Sequence, residues 1–371
     1  MKITQILVHC CRLPLTPLER GGIAPYQLSY RLATHADRYF VEVRTDEDLI
    51  GWGEGELTMS PQTITSFYEN DLSGLIGLDP REINRVRGYF KQTTFKKYLN
   101  EQVFLAPVEM ACWDILGKSV GLSVSQLLGG ATRERVPVAF LVGVLPHEQL
   151  MKSIAFGHGQ GYRTFKLKGG NGFREDAARI QLLSKEFPDA EFRLDPNQAW
   201  SFGDCVRFCE MVRACPMQYL EQPVRVQSLE EVALLRQRSS IPIALNDDCY
   251  GPWTLDAIVR ANAADVAIVD LEPLGGISGL VRVAHFAETA NLALTHHTGF
   301  DYGVKTAAVA HVASAMPIFR LPLDCTYMSQ DDDVLTSRLE IENGELVVPS
   351  GAGLGIEIDR DKLEKYRVAS W

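Results

Sequence analysis

Three short apolar stretches of this chain run into acidic residues at a constant interval. Residues 192–195 end on Asp195, residues 217–221 end on Glu221, and residues 241–245 lead into Asn246, Asp247 and Asp248. Asp195, Glu221 and Asp247 are each separated by 26 residues. One strand, one helix and two loops fill that length, which is the repeat of a βα barrel. Residues just past the strand C-termini of such a barrel converge on one face. Asp195, Glu221 and Asp247 there form an oxygen-only ligand set for a hard cation, and Mg²⁺ is the expected ion.

The alternation continues on both sides of these segments. Strands are expected at 136–143, 163–168, 191–195, 217–221, 241–246, 266–270, 292–296 and 318–323, with helices between them. Eight strands alternating with helices read as an α/β fold of the (β/α)₈ type. The chain before the barrel differs. Residues 1–60 alternate as antiparallel strands around the polar turn Asp46-Glu47-Asp48, and 62–74, 80–96 and 106–116 read as helices. Asp114, inside the apolar 106–116 stretch, reads as a satisfied structural group. A long polar loop over 15–36 carries Arg20, Tyr26, Tyr30 and Arg31 and is a candidate lid. After the barrel, Asn343-Gly344 marks a hairpin turn, and the tail is expected to return to the N-terminal domain. The expected division is a domain over 1–130, completed by 335–371, and a barrel over 131–334.

A chain of 371 residues is long enough for two cores. Its net charge of −10, with no basic stripe, argues against a nucleic-acid partner. No apolar run approaches the roughly 18 residues that span a bilayer, so no membrane association is expected. The eight cysteines form no CxxC pair; Cys205 and Cys209 read as core residues on one helix face. Scattered cysteines of this kind suggest a reducing, cytoplasmic setting.

Collecting the strand ends gives a chemically coherent set. The second strand supplies Lys166 and Lys168, which point to one face because they are two residues apart. The sixth supplies Asp270 and the seventh His296 and His297, of which only one can face inward. Removing a proton alpha to a carboxylate creates an enediolate whose charge must be neutralised where it develops. A divalent ion on the three acids can do this as a Lewis acid. Lys168 suits one acid–base position, with neighbouring positive charge lowering its pKa. His297 suits the other, with Asp270 bonding its ring and fixing the tautomer. Lys166 stays cationic and helps bind the substrate carboxylate.

These residues resemble a known family. Gly51-Trp52-Gly53-Glu54, Ala111-Cys112-Trp113-Asp114, Gln126-Leu127-Leu128-Gly129-Gly130, Lys166-Leu167-Lys168, Asp195-Pro196-Asn197-Gln198, Glu221-Gln222-Pro223, Asp270 followed by Gly275-Gly276, and His297 are together similar to the enolase superfamily, in its mandelate racemase subgroup. The resemblance implies a modified TIM barrel of (β/α)₇β type under an α+β capping domain built from the N-terminal region and the C-terminal tail. It implies Mg²⁺, a small-molecule carboxylate substrate, Lys168 opposed to a His297–Asp270 pair, and a homo-oligomer. It also implies that specificity is set by residues 15–36 and 54–60. The chain departs from the family pattern in two places. Glucarate-dehydratase-like members use an Asn at the site of Asn246, so the third ligand is Asp247 or Asn246. The racemase pattern has a Glu at the end of strand eight, where this chain offers only Asp324. Muconate-lactonising relatives carry a Lys on strand six where this chain has Asp270. Dehydration of an acid sugar or related hydroxy acid is the leading expectation, racemisation or epimerisation the alternative, and a non-catalytic barrel a remote third.

Overall fold

A computed structural model describes residues 1–28, 31–93, 101–170 and 172–368, with the side chains of 71, 91–93, 101 and 102 left aside. The N-terminal sheet has three antiparallel strands, Ile3–Pro14, His35–Thr45 and Ile50–Glu56, with the second in the middle. The helix Glu101–Val120 lies directly on this sheet. Its approach is so close that a Cβ on Gly53 would stand 1.8 Å from the Pro107 carbonyl oxygen, and one on Gly51 2.1 Å from that of Ala111. That contact is why glycine alternates with larger residues along the third strand.

Two helical expectations need adjusting. The stretch expected as a helix over 62–74 is α-helical only over Pro61–Ser66, followed by a wider turn over Phe67–Asp71 and a 3₁₀ turn over Ser73–Leu75. Asn70 donates its side-chain amide to the Ser66 carbonyl at 2.9 Å, competing with the regular backbone ladder. The next helix is Ile83–Thr93, and its expected extension to Lys96 lies outside the described residues.

The barrel strands are Arg135–Val142, Thr164–Lys168, Glu191–Asp195, Met217–Glu221, Ile243–Leu245, Val266–Val269, Ala293–His296 and Leu323–Cys325. The first seven run in parallel register in sequence order, and the eighth pairs with the first. Seven helices connect them, so the chain forms the (β/α)₇β barrel beneath an α+β cap. The eighth strand corrects the sequence reading of 318–323. Pro322 has no N–H for a ladder, and the preceding residues turn tightly, with Phe319 N–H on the Met316 carbonyl. The shift places Asp324 inside the strand.

The tail binds the two parts together. Asn343 and Gly344 take φ values of 53° and 73°, as a two-residue type I′ turn requires. The hairpin they close, Ile341–Glu342 with Glu345–Val347, adds antiparallel to the start of the first barrel strand. The last residues then reach the N-terminal sheet: Arg12 N–H donates to the Tyr366 carbonyl, Val368 N–H to that of Cys10, and Arg360 pairs with the buried Glu42. Asp114 is structural, as expected. Its carboxylate accepts from Trp52 N–H, Leu354 N–H and Lys118 Nζ, joining sheet, tail and its own helix. Cys205 and Cys209 are buried on one face of the helix Phe202–Val212, and all eight cysteines are free thiols. Among the described residues no helix is long and apolar enough to cross a membrane.

Candidate active site

Alternation along the second barrel strand aims both lysines into the barrel mouth. Lys166 and Lys168 are buried, and each faces carboxylates of other barrel strands. Lys166 Nζ lies 2.6 Å from Glu221 Oε2, 2.7 Å from Asp324 Oδ2 and 3.9 Å from Asp195 Oδ2. Burial works against its charge, but these three carboxylates outweigh it and hold Lys166 well above the usual lysine range. Lys168 forms an ion pair with Asp195 Oδ2.

Asp195 and Glu221 sit at the ends of adjacent strands, and both are buried. Asp195 accepts from the backbone and side-chain amides of Asn197, whose φ of 48° turns the chain back over the strand end. Desolvation, reinforced by the Asp195 charge, pushes Glu221 up to about 7. Its Oε2 lies near Lys166 without hydrogen-bond alignment, and the buried Asn197 Oδ1 likewise lacks a protein partner. Asp247 stands further out and is exposed, held by the side-chain amide of Gln198. Gln222 shapes this third segment, its carbonyl accepting from the N–H groups of Asn246 and Asp247. Asn246 turns its amide to the Ile268 carbonyl at 2.9 Å. Among the described residues, no three His, Cys, Asp or Glu side chains stand close enough as placed to enclose an ion. The donor chemistry nevertheless fits a hard divalent cation: every donor is an oxygen, two are buried carboxylates, and one carboxylate oxygen lacks a hydrogen bond.

Across the mouth, His297 Nδ1 lies 3.2 Å from Asp270 Oδ2. Desolvation opposes the imidazolium, but Asp270 outweighs it and raises His297 above the ordinary histidine value. Asp270 shows the complementary shift. Burial would raise it, yet Lys305 and then His297 hold it well below the carboxylate range. His296 is the histidine that turns away, its Nε2 accepting from Leu271 N–H at 3.0 Å.

The lysines and His297 face one cavity of about 180 Å³, room for a small acid rather than a polymer. Asn197, Asn246, Asp247, Thr298 and Thr326 line it from the barrel. Tyr26, Leu28 and Arg31 reach in from the 15–36 loop and Glu56 from the cap. Tyr30, also singled out in that loop, lies outside the described residues. Arg20 turns outward to Asp331, 2.7 Å away. Asp324 does not line the cavity; Lys166 and Arg193 grip its two oxygens from below. Lys305 and Arg193 have no assigned role in the sequence reading. The available signal is the single lysine inside the mostly apolar Gly303–Ala315 helix.

Comparison with known proteins bears on this arrangement. Residues 17–129 match the mandelate racemase / muconate lactonizing enzyme N-terminal domain, and residues 152–362 the enolase C-terminal domain-like family. The N-succinyl-L-Arg/Lys racemase of Bacillus cereus is 27% identical, covering 99% of this chain and 98% of that protein. A Streptomyces coelicolor protein named "Probable glucarate dehydratase" is 30% identical over 89% of this chain and 84% of its own length. Among solved structures, an enolase from Streptomyces coelicolor is 31% identical with a TM-score of 0.88, covering 99% of this chain and 96% of that one. An enolase from Gibberella zeae, 26% identical with a TM-score of 0.87 and covering 98% of this chain and 90% of that one, was solved with magnesium, formate and sulfate.

Proposed function

Because this chain belongs to the enolase superfamily, in its mandelate racemase subgroup, we propose that it acts on a small acid with hydroxyls on both its alpha and beta carbons, abstracting the alpha proton and eliminating the beta hydroxyl to give a 2-keto acid. The observation that carries this reading is the cavity itself, lined by Lys168 from strand two and by His297, which Asp270 holds, from strand seven.

Each of these two groups can serve one proton. Lys168, once released from Asp195, takes the proton from the alpha carbon. His297, charged through Asp270, gives a proton to the departing beta hydroxyl, which leaves as water. The enol left behind tautomerises to the keto acid. Lys166 is fixed as a cation by Asp324 and Glu221 and offers its charge to the substrate carboxylate. Asp195, Glu221 and Asp247, or Asn246 in place of the last, are the residues that would hold Mg²⁺. The bound ion would neutralise negative charge developing on that carboxylate. The buried Tyr26 hydroxyl lacks a protein partner, and with Arg31, Asn197 and Thr298 it lines the cavity. These polar groups suit a hydroxylated substrate better than an apolar one.

A racemase or epimerase would use the same two groups without a leaving group. Two acid–base groups lining one cavity are the feature that favours it. A library of aldonates and aldarates, assayed with magnesium for 2-keto product and for solvent deuterium, separates the two readings. Keto product from at least one member is expected. Deuterium incorporated with inversion and without keto product would replace dehydration by epimerisation.

A further inference from the structure

A buried cluster of charge lies behind the His297–Asp270 pair. Lys305, on the Gly303–Ala315 helix, places Nζ 2.9 Å from Asp270 Oδ1, 2.9 Å from Glu272 Oε1 and 3.0 Å from Asp301 Oδ1. Its side chain is 1% exposed. Arg38, fully buried and contributed by the central strand of the cap, meets Glu272 Oε1 at 2.7 Å, Asp301 Oδ1 at 3.1 Å and Glu54 Oε1 at 2.9 Å. Glu54 in turn accepts from Tyr302 N–H and Lys305 N–H, seating the first turn of the helix that carries Lys305.

The two cations divide four carboxylates unevenly. Arg38 covers Glu54, Glu272 and Asp301 but has no contact with Asp270. Lys305 is the cation on Asp270 Oδ1, while His297 takes Oδ2. We propose that Lys305 is a positioning residue for the acid–base pair: it fixes the Asp270 carboxylate, ionised and correctly rotated, so that Asp270 can hold His297. The inference deepens the proposed function and rests on His297 acting there as an acid–base group. It also gives the cap a role beyond covering the mouth, because Arg38 shares Glu272 and Asp301 with Lys305 and so takes up part of their charge.

The charged groups around the pair are Lys305 from the helix, His296 from strand seven, Glu272 and Asp301 from the loops, Glu56 from the cap, and Lys166, Glu221 and Asp324 across the mouth. Removing Lys305 alone leaves uncompensated buried charge and endangers folding. The charge-conserving pair Lys305→Met with Glu272→Gln avoids this, with Glu272→Gln alone as its control. The readout is the imidazole nitrogen spectrum of His297 across pH, in the full chain with magnesium chloride, assigned by its disappearance in His297→Asn.

In wild type and in Glu272→Gln, His297 is expected to titrate above about 6.5 and to keep its proton on Nδ1 when neutral. In the double variant Asp270 loses its lysine cation, takes up a proton or rotates, and the His297 midpoint moves by about one pH unit or more from that of Glu272→Gln. Lys305→Arg, which keeps the charge, should hold the midpoint near wild type. A double variant that titrates like Glu272→Gln overturns the proposal and leaves the Lys168–His297 chemistry standing. Full turnover in His297→Asn would instead sink that chemistry, whatever the midpoint does.

Discussion

Lys168 and His297 reach one cavity from strands two and seven, and each has a carboxylate partner of its own. If they divide the proton work as proposed, Lys168→Ala and His297→Asn should each abolish turnover of any accepted substrate. Circular dichroism should stay near wild type for both, while the melting temperature of Lys168→Ala should fall somewhat, because that change strips the buried Asp195 of its ion pair. Wild-type rates in either variant would remove that residue from the reaction. These residues could be read from the sequence because each sits at or just past a strand end, where the barrel fixes direction. Lys305 could not be placed in that way. Its partners lie at 270, 272 and 301, and only the packing of a helix against two loops brings them together. The same limit applies to Asp324. Its role as the clasp on Lys166 depends on a strand that starts five residues later than its apolar run suggests, because Pro322 delays the ladder.

The Gly303–Ala315 helix is buried along its whole length, and its histidine is as informative as its lysine. His311 Nδ1 accepts from Ser125 N–H at 3.3 Å, and Nε2 donates to the Leu354 carbonyl at 3.1 Å. A nitrogen that accepts a backbone hydrogen bond cannot also carry a proton. Desolvation adds to this, and the folded chain holds His311 down to about 4, against 6.5 when unfolded. The unfolded state therefore binds the proton first. Stability from this group is complete above about pH 6.5 and declines as pH falls towards 4, by up to about 3 kcal/mol. Urea unfolding at about pH 7 and about pH 4.5 measures the decline, and His311→Gln should lose this part of the slope. An equal slope in both proteins would show that His311 titrates normally. Element boundaries were legible to within a few residues at many Gly and Asn-Gly punctuation marks, Asn343-Gly344 among them, though not at Pro322. They drifted where a side chain such as Asn70 competes with the backbone ladder.

At the scale of the whole molecule, the (β/α)₇β barrel and its α+β cap followed from periodicity and from the family resemblance together. The join between them did not. Arg38 and Glu54 of the cap are buried against Glu272, Asp301 and the start of a barrel helix, contacts with no local sequence signature. The tail adds a second join by bonding residues 366 and 368 to Arg12 and Cys10. Those two bonds occupy the outer side of Ile3–Pro14, which is the border strand of its sheet. A chain ending at Gly351 would leave that border open, a ready template for a second molecule. It should form species larger than those of the full chain at equal concentration, measured by light scattering. Residues 366–368 are thus a selvedge, a finished margin along that strand.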